Sequence, residues 1–277
     1  MKIGVVSRSF QGMSSKEVAR RTAEAGFQST ELCFTFTDAN FWVYNGWKDL
    51  SELTDQKASE IVESFRSEGI EVASLGAFSS FMEPDETLLE KNIALYERYL
   101  QIAAQNGIPA VATETGFIPG KRGIQADTYE KDFSYFTQNL CRVLEKAERY
   151  EVDIALEPCV LDVVPSAKRA RDLIAQCGSK RLKILLDPAN LIAASDEEDM
   201  FKYLAPHVSY FHGKDRKVND AYGRIVGDGD IDWPLFLSLY HKHCEGRPFI
   251  LEYVNNDNCE MVRERLEAFD KEAARFA

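Results

Sequence analysis

Eight short apolar runs recur along the chain, and longer segments with the apolar period of a helix separate them. The runs are IGVV (3–6), TELCF (30–34), VASL (72–75), AVAT (110–113), DIAL (153–156), KILL (183–186), VSYF (208–211) and FIL (249–251). Short strands that alternate with helices are typical of repeated strand-helix units and of a parallel sheet. Eight such units in 277 residues predict an α/β protein that forms one single-domain (β/α)₈ barrel over residues 1–277.

The segments between the runs carry helix start and stop signals. Ser14 and Glu17 have the spacing of a capping box, and the helix they open is expected to end near Gly26. Asp127 and Glu130 have the same spacing and predict the start of another helix. Between these helices and the preceding strands, long βα loops are expected at about 35–53, 114–127 and 212–233.

An open, doubly wound sheet is the main alternative fold. Such a sheet usually has a glycine-rich phosphate-binding loop after its first strand. The segment after the first run here, SRSFQGMSS, has one glycine, Gly12. The barrel is therefore the favoured architecture.

The charge and cysteine content limit the partners and the location of the protein. The chain has 33 Lys and Arg against 45 Asp and Glu, and its net charge of −12 disfavours nucleic acid and anionic membrane surfaces as partners. The six cysteines are scattered without a C-x-x-C pair, as expected of reduced thiols. The N-terminal sequence MKIGVVSRS turns polar too soon for a signal peptide, and no stretch is long enough to span a membrane. A cytoplasmic protein is expected.

Polar residues stand at the ends of the last four runs, and the carboxyl ends of barrel strands meet on one face. These residues are Glu157, Asp187, His212 and Glu252. Three neighbouring carboxylates repel one another unless a cation neutralises them. For any one of these residues a salt bridge or a cap is an equally good interpretation, but the four together favour one divalent metal ion. Mn²⁺, Mg²⁺, Co²⁺ and Zn²⁺ all suit this donor set, and its oxygen-rich character favours Mn²⁺.

The order ALEP, LLDPAN, FHGKD, GDGDIDW and ILEY over residues 153–254 resembles the xylose-isomerase-like barrel superfamily of sugar isomerases and epimerases. That superfamily includes ketose 3-epimerases, inosose dehydratases and, more distantly, endonuclease IV. The resemblance implies that the four residues at the strand ends bind the metal. It also implies that Glu157 and Glu252 act as the acid/base pair on opposite faces of a sugar.

The resemblance implies an isomerase or epimerase that acts on a sugar, sugar acid or sugar phosphate by proton transfer next to a carbonyl, through an enediolate. A dehydratase of a keto-inositol or a related keto-sugar, which expels a β-hydroxyl from the same intermediate, is the alternative. A DNA-repair endonuclease would need about three metals and more histidines than the four present. A non-catalytic sugar-binding barrel would have no use for the glutamate pair.

Two positions depart from the epimerase pattern. Asn190 stands where those enzymes commonly have a substrate-binding histidine. Asp162 and Val163 stand where a substrate-binding glutamate is expected. Epimerisation of a free ketohexose at carbon 3 is therefore disfavoured, and Asn190 becomes a candidate substrate contact.

Two loops are candidates for substrate binding. In TDANFWVYNGWKDLSE, Trp42 is the expected sugar contact, although this aromatic loop could instead pack on its own barrel or on a partner subunit of a homo-oligomer. In GKDRKVNDAYGRIVG, the cations Lys214, Arg216 and Arg224 could hold a phosphate or carboxylate of a carbohydrate substrate. For Lys214, an ion pair with Asp215 is the alternative.

Other charged residues are given more ordinary roles. Lys121 and Arg122 are expected to be solvated loop charges. Glu31 and Glu114 could line the floor of the pocket, or one of them could pair with Arg8. The three remaining histidines are expected to be structural: His207, His241 and His243.

Overall fold

In the computed structural model, which describes residues 1–274, eight parallel strands close into a barrel and each neighbours the next along the chain. The strands are β1 (Ile3–Val6), β2 (Ser29–Leu32), β3 (Glu71–Gly76), β4 (Ala110–Glu114), β5 (Asp153–Glu157), β6 (Leu182–Leu186), β7 (Val208–Gly213) and β8 (Phe249–Leu251). The barrel closes where β8 pairs with β1, with Ile3 opposite Phe249. The predicted (β/α)₈ fold is confirmed.

A helix follows each strand on the outside of the barrel. The helices are α1 (Ser15–Glu24), α2 (Asp55–Ser67), α3 (Glu86–Gln105), α4 (Tyr129–Tyr150), α5 (Ala167–Cys177), α6 (Glu197–Leu204), α7 (Trp233–Cys244) and α8 (Cys259–Ala273). Shorter elements are 3₁₀ turns at Ser7–Ser9 and Ala205–His207, a one-turn helix at Pro188–Leu191, and a hairpin of Thr35–Phe36 with Ala39–Asn40. Within residues 1–274, no helix combines the length and the apolar character needed to cross a bilayer.

The apolar side chains of the strands divide between two cores by their alternation along each strand. Phe211 and Leu156 belong to the large core between the barrel and the helices, whereas Tyr210, Leu185 and Ile250 belong to a smaller cluster. That smaller cluster also contains Ala112 and Ala155, and it fills the barrel interior. Residues in the same alternating phase, such as Glu157 and His212, point inward.

Three strands extend beyond their apolar runs, and this changes where the polar residues lie. β4 includes Glu114, β5 includes Glu157, and β7 continues through His212 to Gly213. Glu114 and Glu157 are partners in the register of β4 and β5, so both residues belong to the hydrogen-bonded sheet. The backbone of these three polar residues is therefore fixed by the sheet and not by a loop.

The two predicted capping boxes have different outcomes. At α1 the Ser14 side chain accepts from the Glu17 backbone N–H, and the Glu17 side chain accepts from the Ser14 backbone N–H, so this box is confirmed. At α4 the predicted helix forms, over Tyr129–Tyr150, but the predicted box was wrong, because the N-cap is Thr128 and its side chain makes no capping bond with a described residue. The Thr128 hydroxyl instead donates to the Asp132 carboxylate at 2.7 Å.

Candidate metal centre and the cavity above it

Four side chains from consecutive strands converge at the C-terminal end of the barrel. They are Glu157, Asp187, His212 and Glu252; each is buried, and one ligand atom of each lies within 4.8 Å of those of the other three. Asp187 caps the one-turn helix after β6, since its Oδ1 accepts the Ala189 N–H at 2.9 Å. The structure thus brings together all four residues that the sequence suggested as metal ligands.

The imidazole of His212 is oriented by carboxylates on both sides. Nδ1 lies 3.1 Å from Oε1 of Glu157 and 3.8 Å from Oε2 of Glu252, and it therefore faces the cluster. Nε2 lies 3.0 Å from Oε2 of Glu31, on the opposite side of the ring. Burial opposes the charged form of His212, but Glu31 and Glu157 outweigh this effect and raise its pKa to about 10.

Glu31 lies beneath His212 as part of a buried hydrogen-bond chain. Tyr210 donates its hydroxyl to Oε2 of Glu31 at 2.5 Å, and Ser74 donates to the Tyr210 hydroxyl at 2.9 Å. Burial opposes ionisation of Glu31, yet the charge of His212 and the bonds from His212 and Tyr210 lower its pKa below the ordinary value. Sequence reasoning missed this role, because Glu31 lies inside β2 and contacts His212 across the barrel.

Lys214 extends its ammonium group into the same cluster. Its Nζ lies 2.7 Å from Oδ2 of Asp187, 2.8 Å from Oε2 of Glu252 and 3.8 Å from Oε1 of Glu157. Burial opposes the charged form, but Asp187 and Glu157 hold the pKa of the Lys214 ammonium above its usual value. The pairing of Lys214 with Asp215, which the sequence left open, is not found among the described residues.

The buried carboxylate of Asp215 holds the loop after β7 in place, because it accepts hydrogen bonds from backbone and indole N–H groups. Its carboxylate accepts four N–H groups, from the backbones of Arg216, Gly227 and Ile231 and from Nε1 of Trp233. A carboxylate satisfied in this way fixes the loop without a cation. The motif GDGDIDW therefore has a structural role around Asp215.

The donor set fits a divalent cation. Three carboxylates and one imidazole lie together at one place, and among the described residues no hydrogen bond reaches Oδ2 of Asp187, although Nζ of Lys214 lies 2.7 Å from it. Burial raises the pKa of Asp187 to about 6, with Glu157 adding to the effect and Lys214 opposing it. A cation at this point would relieve the repulsion among the carboxylates. Oxygen donors with one nitrogen donor are common around Mn²⁺, Mg²⁺ and Zn²⁺.

A cavity of about 990 Å³ opens above the cluster at the C-terminal face of the barrel. Of the predicted substrate contacts, four line it: Trp42, Asn190, Lys214 and Arg216. Arg224 is not among the lining residues, because its Nη2 pairs with Oδ2 of Asp220 at 2.6 Å and its backbone bridges to that of Asp215. Its expected role as a substrate contact is not supported by this placement.

Trp42 forms part of the cavity wall and is half-buried. Its ring lies 6.4 Å from the rings of Tyr44 and Phe78, and the Arg8 guanidinium lies 5.9 Å from it. The indole Nε1 is buried and donates no hydrogen bond within the described residues. A ligand in the cavity would find an aromatic face at Trp42.

Asn190 links the cluster to the cavity. Its Nδ2 donates to Oε1 of Glu157 at 2.9 Å, and its Oδ1 accepts from Nη2 of Arg216 at 3.3 Å. The side chain that replaces the expected histidine thus contacts both a candidate ligand and a candidate substrate-binding residue.

Several secondary expectations change. Arg122 is exposed, as expected of a loop charge, but it also lines the cavity and lies 5.1 Å from the Phe117 ring. Arg8 pairs with Glu252 and with neither of the two glutamates that the sequence suggested. Glu114 lines the cavity and accepts the Tyr44 hydroxyl, whereas Glu31 lies below the site.

Asp162 is drawn into the barrel rim instead of facing a substrate. Its Oδ2 accepts the Gly116 N–H at 2.9 Å and the Thr115 hydroxyl at 3.2 Å. Burial, with Glu114 close by, raises its pKa to about 7. Asp162 therefore stabilises the loop after β4.

The fold and the site define a class of protein: a closed (β/α)₈ barrel with a buried carboxylate and histidine cluster, able to hold a metal ion, beneath a large cavity. The chain belongs to the xylose isomerase-like TIM barrel family, whose model matches residues 19–276. The resemblance expected from the motifs is confirmed. No curated protein matches the chain in sequence.

Solved structures share the whole fold at low sequence identity. The 3-keto-D-glucoside 4-epimerase of E. coli superposes with a TM-score of 0.77 at 15% identity, covering 97% of this chain and 99% of that one. The IOLI protein with a bound zinc atom gives 0.76 at 16%, covering 100% and 99%. The probable 3-DHS dehydratase of Bacillus anthracis gives 0.72 at 15%, covering 97% and 98%. These likenesses concern the fold.

Proposed function

We propose that this protein is a divalent-metal-dependent isomerase or epimerase of a sugar, sugar acid or sugar phosphate. The observation that carries the proposal is the convergence of three carboxylates and one imidazole within 4.8 Å at the base of a cavity of sugar-binding size. Sugar epimerases share the fold, as the E. coli structure shows for that enzyme. The metal that we favour is Mn²⁺, with Mg²⁺, Co²⁺ and Zn²⁺ as alternatives.

The ligands would be Glu157, Asp187, His212 and Glu252, with Nδ1 of His212 as the nitrogen donor because that atom faces the other three. A divalent ion held there supplies Lewis-acid stabilisation of the negative charge that develops on a carbonyl oxygen during enolisation. His212 is then unavailable as a base, since its cluster-facing lone pair is engaged.

Proton transfer is assigned to Glu157 and Glu252. Glu252 lines the cavity and comes from the end of β8, whereas Glu157 comes from β5 and receives the Asn190 N–H. Because the two carboxylates come from different strands, we assign them to different sides of a bound sugar. One takes the proton next to the carbonyl, which leaves an enediolate, and the other returns a proton to complete epimerisation or isomerisation.

Four further residues would hold the substrate. Trp42 offers the face of its ring, while Asn190, Lys214 and Arg216 offer polar groups near the ligands. All four line the cavity, where they can fix which carbon faces the two glutamates.

A dehydratase of a keto-inositol or a related keto-sugar is the second candidate. The ammonium of Lys214 lies 2.8 Å from the Glu252 carboxylate, so a proton donor stands beside a proton acceptor. After Glu252 removes the proton next to the carbonyl, Lys214 could protonate a departing β-hydroxyl, which leaves as water. The same site therefore supports elimination as well as return of the proton.

Solvent isotope incorporation separates these outcomes. Ketoses, keto-inositols and their phosphates are incubated in D₂O with the Mn²⁺-loaded protein, and each recovered compound is analysed by mass spectrometry. An isomerase or epimerase incorporates deuterium next to the carbonyl, whereas a dehydratase gives a product that lacks the elements of water. The Glu252→Gln variant should do neither, while His207→Ala, altered at the opposite end of β7, should match wild type. Exchange that persists in Glu252→Gln would contradict the assignment.

A further inference from the structure

Arg216 is a buried cation whose donors are largely free. The residue is 4% exposed and lines the cavity. Within residues 1–274, its buried Nε and Nη1 have no hydrogen-bond partner, and Nη2 makes one contact, at 3.3 Å, with Oδ1 of Asn190. A guanidinium that is removed from water without its hydrogen bonds is energetically costly.

The neighbouring cations at the base of the cavity are paired with carboxylates, and Arg216 is paired with none in the part of the chain that the structure describes. Lys214 contacts Asp187 and Glu252, and Arg8 pairs with Glu252. Within residues 1–274, no carboxylate oxygen lies within 4.0 Å of the Arg216 guanidinium. Buried arginines are normally matched by a carboxylate or phosphate.

The loop holds Arg216 firmly in this position. Its backbone N–H donates to Oδ1 of Asp215 at 2.8 Å, and its carbonyl accepts the Asp230 N–H at 2.9 Å. Gly229 lies directly against the backbone of Arg216, where any side chain would overlap it. The backbone of Arg216 is therefore fixed, so that the side chain starts from a defined point beside the cavity.

The free donors also lie close to the reactive centre. The amide oxygen of Asn190 accepts from Arg216, and the amide nitrogen of the same side chain donates to Glu157. One side chain thus separates the guanidinium from a ligand and proposed acid/base residue. A group bound to Arg216 would belong to the same molecule that the glutamates act on.

We propose, on the basis of the proposed function, that the substrate is an anionic keto-sugar and that Arg216 binds its oxyanion, a carboxylate or a phosphate. This group completes the hydrogen bonding of the guanidinium and sets the orientation of the sugar. Arg216 is thereby a residue that determines specificity for acidic over neutral substrates.

Binding of three unreactive polyols to the metal-loaded protein tests this inference. Glucitol is neutral, gluconate carries a carboxylate and glucitol 6-phosphate carries a phosphate, and none has the carbonyl that turnover needs. Isothermal titration calorimetry is run on wild type, Arg216→Gln, Arg216→Lys and Arg224→Gln. Arg224 is the matched control, because it lies in the same loop and outside the cavity.

Wild type and Arg224→Gln should bind one of the two anions on the order of 10- to 100-fold more tightly than glucitol, the range of a hydrogen bond to a charged group. The preferred anion identifies the oxyanion as carboxylate or phosphate. The preference should disappear in Arg216→Gln and be partly kept in Arg216→Lys. If Arg216→Gln does not fold, the comparison of ligands on wild type and Arg216→Lys still decides the matter.

Equal binding of all three polyols by wild type would overturn the inference, as expected if Arg216 served only to stabilise the charge of an enediolate from a neutral sugar. A preference that survives in Arg216→Gln would also overturn it, since the metal and not the guanidinium would then hold the anion. Neither result depends on turnover. Failure of the proposed reaction would appear instead as absent deuterium incorporation, with the preference for an anion intact.

Discussion

Nε2 of His212 lies 3.0 Å from Oε2 of Glu31, on the opposite side of the imidazole from the Nδ1 that faces Glu157 and Glu252. A histidine that ligates a metal commonly donates its other ring N–H to a carboxylate, which fixes the ring and strengthens its donor atom. Glu31 is placed to do this from β2, across the barrel from β7. The candidate metal centre therefore extends to a fifth residue, which would orient a ligand without binding the metal.

Replacing Glu31 by glutamine should weaken metal binding without removing a ligand. We expect the dissociation constant for Mn²⁺ to rise about 10- to 100-fold, the usual effect of losing such an orienting partner. Competition with a chromogenic chelator measures this. Glu71→Gln is the matched control, because Glu71 makes only an exposed ion pair with Lys2. An unchanged constant in Glu31→Gln would show that the carboxylate does not orient His212.

Metal affinity should rise with pH. The pKa of His212 is raised to about 10 in the protein without metal, and a metal ligand must be the neutral imidazole, so binding releases this proton. Between pH 7 and 9, which lies below this pKa, the dissociation constant for the metal should fall about tenfold per pH unit. Titration at several pH values checks this, and a flat profile would contradict the involvement of His212.

The metal-free protein should show the opposite trend in stability. The folded pKa of His212 lies above its unfolded value of about 6.5. The stabilising proton is therefore fully present below about pH 6.5, and its contribution is lost as the pH rises through about 10. Chemical unfolding in the presence of a chelator measures the free energy of unfolding. A free energy that increases over this range would oppose the expected sign.

Lys214 should matter most when no metal is present. Its ammonium neutralises Asp187 and Glu252, so Lys214→Met should cost the metal-free protein about 3–5 kcal/mol, as for a broken buried ion pair. Added Mn²⁺ should recover more stability in this variant than in wild type, since it replaces the lost positive charge. Thermal unfolding with and without chelator tests both points. Lys217→Met, an exposed change in the same loop, should behave as wild type.

Trp42 should contribute to substrate binding through the face of its ring. We expect Trp42→Ala to raise KM about tenfold, and Trp42→Phe to have a smaller effect because it keeps an aromatic face. Steady-state kinetics with the substrate found by isotope exchange measures this. Trp47→Ala is the control, because Trp47 lies in the same loop but does not line the cavity. Wild-type KM and kcat in Trp42→Ala would exclude a role for this wall.

The barrel and its four converging ligands could be predicted because both depend on local pattern. The alternation of strands and helices determines the closed sheet, and its geometry brings Glu157, Asp187, His212 and Glu252 together. The role of Glu31 could not be predicted in this way. It depends on contact between β2 and β7 across the barrel, which no spacing in the sequence encodes.

The direction of the side chains within a loop could not be predicted from the sequence either. Lys214, Arg216 and Arg224 belong to one basic segment and carry the same charge, yet the first enters the cluster, the second lines the cavity and the third pairs with Asp220. The difference arises from the path of the loop, which is fixed by the hydrogen bonds that its N–H groups donate to the Asp215 carboxylate. Such a network forms only when distant parts of the loop are folded together.

Metal content is the most direct test of the central claim. Four proteins are purified under metal-replete conditions: wild type, Asp187→Ala, His212→Ala and His207→Ala. Their metal content is measured by inductively coupled plasma mass spectrometry, and circular dichroism establishes that each is folded. We predict about one divalent ion per chain in wild type and in His207→Ala, and its loss from the folded Asp187→Ala and His212→Ala variants. Wild type without a divalent ion, or full metal content in both ligand variants, would contradict the assignment of this cluster as a metal centre.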